Sequence, residues 1–105
     1  MEVTFEKDYL RNLYQTGKAI EKRYRFQPEI VRKYRHCINI LRNAKKIEIL
    51  YGINSLNYEV LKGDKAGISS IRVNKQYCIE FTVNDNDIES LITVCNILEL
   101  SNHYK

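Results

Sequence analysis

The densest arrangement of groups able to do chemistry lies between positions 62 and 75. Lys62, Lys65, Arg72 and Lys75 stand there against Asp64 alone, inside a half of the chain that is otherwise acidic. Residues 1–46 carry a net charge of +7 and residues 47–105 a net −3, with no Lys or Arg from Gln76 to Tyr104. Clustered cations attract a polyanion and steer its approach, although a single run of this kind also suits a solvated face. The cysteines offer a different chemistry and their spacing argues against it. Cys37, Cys78 and Cys95 are far apart, form no CxxC pair and sit in apolar patterns. That makes a zinc site unexpected and points to reduced core thiols of a cytoplasmic protein. His36 falls on the polar side of a helical pattern and reads as a surface histidine.

These groups have to be positioned by a small frame. At 105 residues and 12.5 kDa the chain is expected to form one domain, with 44% hydrophobic and 29% charged residues giving an ordinary globular balance. No apolar run reaches membrane-spanning length, and the start of the chain lacks the charged and apolar regions of a secretion signal. Transmembrane and secreted readings are therefore not expected.

Val3 and Phe5 alternate within Glu2–Phe5, as in a short strand. Asp8 is placed to cap a helix carrying Leu10, Leu13 and Tyr14 on one side, with Gly17 ending it. Lys18–Phe26 is strongly basic, and its pattern leaves helix and surface loop open. Pro28 suits the first turn of a second helix reaching about Asn43, with Ile30, Tyr34, Cys37, Ile38 and Leu41 as its apolar stripe. Tyr9, Tyr14, Tyr34 and Tyr51 are expected in the core or at its edge.

After these helices the period changes to two. Leu56–Leu61, Ile68–Val73, Tyr77–Val83 and Leu91–Leu100 read as strands, and Asn84–Asp87 as a turn. A three-residue loop, Asn74-Lys75-Gln76, pairs Val73 with Tyr77 and Ile71 with Ile79 on one face. The same register sets Arg72 beside Cys78 and Ser70 beside Glu80 on the other. The expected fold class is α+β, with an N-terminal strand and two-helix hairpin packed on an antiparallel four-stranded sheet. The uncovered face would present Arg72, with Lys62 and Lys65 in a loop at its edge.

The run Leu61-Lys62-Gly63-Asp64, then Ser70-Ile71-Arg72-Val73-Asn74 and Tyr77-Cys78-Ile79-Glu80-Phe81, followed by a tail containing His103-Tyr104, resembles the HigB branch of the RelE/ParE toxin superfamily. The resemblance spans about residues 56–105, and the helical first half agrees in layout. It implies a RelE-like fold for residues 1–105 as a single toxin domain of a type II toxin–antitoxin system. Such toxins are ribosome-dependent endoribonucleases (mRNA interferases) that cut mRNA in the A site of the 30S subunit and so inhibit translation. The implied partners are the ribosome, mRNA and a helix-turn-helix antitoxin, HigA, with no metal, organic cofactor or membrane.

The implied reaction is attack of a ribose 2′-hydroxyl on the adjacent phosphate. It needs a base, an acid and cations that stabilise the phosphorane. Lys62 and Arg72 match the family's basic positions, and a guanidinium fork fits phosphate oxygens. His103 matches the tail histidine and suits acid or base work, and Tyr104 would stack on a base or orient the sugar. Lys65 and Lys75 are further candidates for RNA contact. The sequence departs from the pattern twice. Glu59, beside Tyr58, stands where the family often has His; a carboxylate can act as base, though an ordinary glutamate pKa is low for the task. Cys78 stands where Arg is usual, and losing one preorganised charge contact costs on the order of 3 kcal/mol, or a hundredfold in rate. Two alternatives stay open: a ParE-like gyrase inhibitor, and a catalytically weakened toxin that only binds antitoxin or RNA.

Overall fold

The computed structural model of the chain describes residues 1–84 and 92–102. The second helix shows most directly how the sequence builds the frame. α2 runs from Pro28 to Asn43 with Pro28 in its first turn, where a missing N–H costs nothing. Its apolar stripe is buried throughout, with Tyr34, Ile38 and Leu41 fully so. Each such side chain contributes roughly 1.5–3 kcal/mol by leaving water. α1, Asp8–Gln15, packs against α2 through Tyr9, Leu10 and Leu13. Buried Tyr34 ties the two helices by donating to the Leu10 carbonyl at 2.7 Å. Asp8 is the first helical residue rather than the cap, which is Lys7. There its carboxylate complements the helix dipole and pairs with Arg11 at 3.2 Å. Gly17 leaves the helix at φ +76°, a conformation open to glycine.

The basic segment that follows is neither a helix nor wholly loop. It contains one 3-10 turn, Lys22–Tyr24, held to α1 by stacking of Tyr24 on Tyr9 with ring centres 3.8 Å apart. A single-turn helix, α3, spans Glu48–Tyr51 after α2. Its Leu50 takes the buried position, so Tyr51, expected at the core edge, is 59% exposed and leans on Tyr58.

Five strands form one sheet: β1 Glu2–Phe5, β2 Glu59–Val60, β3 Ser69–Arg72, β4 Tyr77–Asn84 and β5 Val94–Asn102, in the order β1-β5-β4-β3-β2. The expected antiparallel meander is present as β2 to β5. The first strand does not stand apart from it; β1 pairs in parallel with β5, Val3 opposite Cys95 and Phe5 opposite Ile97, and makes the sheet mixed. β2 is shorter than expected because residues Asn54–Leu56 form a 3-10 turn and Asn57 adopts a left-handed conformation, φ 45°. β5 ends two residues later than expected, while its expected start at Leu91 and the expected turn over residues 85–87 lie outside the described residues. The β3–β4 hairpin has the register read from the sequence, Ile71 opposite Ile79, Arg72 opposite Cys78 and Ser70 opposite Glu80. Asn74 closes its turn by accepting from the Gln76 and Tyr77 amides at 2.8 and 2.7 Å.

The core lies between the helices and the sheet face that carries Ile71, Ile79, Phe81, Ile97 and Leu100. Ile97 and Leu100, three apart, share that face because a bulge lies between their pairings: Glu80 opposes Glu99, but Phe81 opposes Ile97. All three cysteines are free thiols and buried. Burial raises the pKa of Cys37 and of Cys95 to about 11. No helix among the described residues is long and apolar enough to cross a membrane.

Candidate functional site on the open sheet face

Period-two alternation sends one set of side chains to the core and the other to the uncovered face. Two of the rows crossing that face hold candidate residues. One runs Glu59, Ser70, Glu80, Glu99 through β2, β3, β4 and β5; the other runs Arg72, Cys78, Ser101. Cys37 of α2 anchors the Arg72 strand from behind, its thiol donating to the Arg72 carbonyl at 3.7 Å.

A row of three carboxylates is an unlikely surface for a polyanion unless cations answer it. Two are answered. Lys65 donates to both oxygens of Glu80, at 3.1 and 2.8 Å. Glu99 receives Lys7 at 2.7 Å and the Tyr9 hydroxyl at 2.5 Å. The Glu80 hydrogen bond raises the pKa of Lys65, and the Glu99 bond raises that of Lys7.

Between these rows lies a hollow of about 250 Å³ lined by Glu59, Leu61, Lys65, Ser70, Cys78, Glu80, Ser101 and Asn102. A larger cleft beside it, about 420 Å³, adds Arg23 and Tyr24 from the 3-10 turn and shares Lys65, Glu80, Ser101 and Asn102. Cys78, 4% exposed, contributes a thiol rather than a charge, and burial raises its pKa while a side-chain hydrogen bond with Ser70 opposes the rise.

The sequence-derived candidates divide accordingly. Glu59 and Lys65 line the hollow. Arg72 and Lys62 do not; Arg72 is exposed across from Cys78, and Lys62 is exposed next to Leu61, so both stand beside lining residues. Neither makes an ion pair among the described residues. Lys75 is exposed in the β3–β4 turn and does not line the hollow. His103 and Tyr104 lie outside the described residues, immediately after Asn102. Glu80, Ser101 and Arg23 line these cavities without having been singled out. The β3–β4 register did set Glu80 on the right face, but nothing local announced its lysine.

A separate groove of about 670 Å³ lies on the helical layer, lined by Arg32, Arg35 and His36 with Tyr14, Phe26 and Val31 among others. His36 is exposed there, as expected of a surface histidine.

Three comparisons bear on what this face belongs to. A solved structure, a YoeB/ParE toxin from Agrobacterium tumefaciens, superposes over 99% of this chain and 100% of its own with a TM-score of 0.56 at 18% identity, which speaks to the fold alone. An uncharacterized protein of Haemophilus influenzae is 29% identical over 87 residues, 83% of each chain. The family model for HigB-like toxins, described as the RelE-like toxin of the type II toxin–antitoxin system HigB, matches residues 3–93, a span that includes Glu59, Lys62, Lys65 and Arg72. With that match running through both the helical layer and the open face, the chain belongs to the HigB-like toxins, RelE-like toxins of type II toxin–antitoxin systems.

Proposed function

We propose that this chain is a ribosome-dependent mRNA endoribonuclease, working in the A site of the small ribosomal subunit and held inactive by a HigA-like helix-turn-helix antitoxin. The observation that carries the reading is the open face, where Lys65 and Glu59 line a hollow and Arg72 and Lys62 stand beside its lining residues. In the proposed reaction a base takes the 2′ proton, the 2′ oxygen bonds to phosphorus, and the bond to the 5′ oxygen breaks as an acid protonates it. A 2′,3′-cyclic phosphate and a 5′-hydroxyl result. Glu59 and the tail imidazole of His103 are the proposed proton-transfer groups. Arg72 and Lys62 stabilise the phosphorane oxygens, Tyr104 orients the nucleotide, and Lys65 and Lys75 contact neighbouring phosphates.

The test is cleavage of mRNA on programmed ribosomes together with growth after induced expression. Wild type should cut translated mRNA and arrest growth, whereas Arg72→Ala and a chain ending at Asn102 should do neither. Intact mRNA with wild type would reject the reading. Cys78 in the centre of the site favours one other reading, a ParE-like toxin acting on gyrase. Inhibition of supercoiling without ribosomes would establish that instead.

A further inference from the structure

Lys65 is the last residue of a 3-10 turn, Gly63–Lys65, which opens on left-handed Gly63 (φ +69°) and is followed by left-handed Gly67 (φ +86°). From this loop the side chain reaches over the sheet to a carboxylate fifteen positions later. The two partners are unequally held. Glu80 sits in the middle of β4 with strands on both sides and is 8% exposed, whereas the Lys65 side chain is about half exposed, 53%. The carboxylate is therefore the fixed end and the ammonium is the end being aimed. Lys65 also lines both the hollow and the neighbouring cleft, with Glu80 beneath it. An ammonium has three N–H donors, of which Glu80 occupies two, leaving one for an incoming oxygen.

Resting on the nuclease reading above, we propose that Glu80 is a positioning residue, whose buried carboxylate holds the Lys65 ammonium over the hollow beside Cys78 so that it contacts the RNA phosphate there. The arrangement gives the hollow a cation where the strand residues lining it, Cys78, Ser70, Glu59 and Glu80 among them, carry no positive charge. A preset lysine loses less freedom on meeting its anion than one drawn from solvent. The pair is thus more than a link between the loop and the sheet.

Single-turnover cleavage on mRNA-programmed ribosomes distinguishes the two roles. Lys65→Met should lower the saturating rate about tenfold, on the scale of one lost charge contact at a partly exposed site. Glu80→Gln should lower it severalfold, and the double variant should fall no further than Lys65→Met, because the residues act as a unit. Glu80→Asp keeps the charge one methylene short and should recover part of the loss, which serves if Glu80→Gln does not fold. A merely structural pair predicts lower urea midpoints with saturating rates unchanged. Full rate in folded Lys65→Met, or a double variant showing the product of the two single effects, would overturn the proposal.

Failure of wild type to cleave would reject the nuclease reading rather than this one, which is then read from binding. Affinity of the isolated protein for a short single-stranded RNA, measured against salt, should fall in both variants, and Lys65→Met should lower the salt slope by about one. Equal binding by wild type and both variants would end it.

Discussion

Replacing Cys78 by arginine adds a positive charge to the open face, and its consequences can be worked from the structure. Cys78 lies in the second row of the open face, opposite Arg72 on β3 and Ser101 on β5. A guanidinium there enters the hollow with Glu59 and Glu80 at its walls. One preorganised charge contact with the transition state is worth on the order of 3 kcal/mol, a hundredfold in rate. Lys65 already serves the hollow, so the gain expected is nearer tenfold. Against it stands the strain of enlarging a residue that is only 4% exposed. Overpacking costs about 1–3 kcal/mol. A like-charge neighbour directly across the ladder, Arg72, adds roughly 0.2–1 kcal/mol. A domain with the usual stability of about 5–15 kcal/mol tolerates that loss and stays folded. Cys78→Arg should therefore cleave programmed mRNA about tenfold faster than wild type while unfolding at lower urea. Cys78→Met, which adds bulk without charge, should lose stability and gain no rate. A folded Cys78→Arg protein no faster than wild type would refute the argument that a second cation in the hollow aids the reaction. On the Lys65→Met background the same change should recover most of the lost rate, since one cation then replaces the other.

Further outcomes follow from the same geometry. Glu59→Gln should slow cleavage by about a hundredfold or more if the carboxylate is the base, the usual size of such a contribution. An unchanged rate and pH profile would transfer that role to His103. Tyr34→Phe should lose about 1 kcal/mol in urea unfolding by removing the hydrogen bond to Leu10, with cleavage unaffected. Stability should decline in alkali. Burial holds the Cys37 and Cys95 thiols protonated in the fold up to about 11, from an ordinary 9.0. The unfolded chain then gives up protons first, so stability is complete below about pH 9 and is lost as pH rises, by about 2 kcal/mol per thiol at pH 11. Buried Tyr9 and Tyr34 and the paired Lys7 and Lys65, all raised, act in the same direction at higher pH. Urea midpoints from pH 8 to 11 check this, and a flat profile would contradict the burial of both thiols.

The frame was legible wherever its cause was local. The stripe of α2 and its proline start are written in one sixteen-residue helix, and both ends fall where the residues put them. The β3–β4 hairpin was legible in full register because a three-residue turn admits few pairings and Asn74 supplies the side chain that closes it. What the residues did not reveal depends on partners far along the chain. Whether Val3 and Phe5 join the sheet is decided by β5, some ninety residues away, and their alternation is the same in either case. The bulge opposite Glu80 was equally silent, since Ile97-Leu98-Glu99-Leu100 reads as alternation out of phase until a partner strand fixes which residue is extra. β2 was overestimated because apolar letters from Leu56 onward suit a strand, while a left-handed Asn57 turns the backbone out of it.

The site divides along the same line, and the division bears on its chemistry. Residues fixed by strands, Arg72, Cys78, Ser70 and Glu80, could be put on one face from period two alone. Lys65 could not, because its place depends on a glycine-flanked loop and a long flexible side chain choosing one anion among several. Sequence pattern credits Lys62 and Arg72 with the central charge, whereas the geometry puts the ammonium of Lys65 in the hollow and leaves the other two beside it. If charge near the hollow were all that mattered, Arg72→Ala and Lys65→Met would be interchangeable in their effect. If position matters, they separate. Loss of exposed Arg72 should remove cleavage and also weaken capture of RNA in a salt-dependent way. Loss of Lys65 should act on the saturating rate, because its carboxylate anchor keeps it in place before RNA arrives. Equal shifts in both variants, in affinity and in rate alike, would show that the fold gathers cations here without aiming any of them.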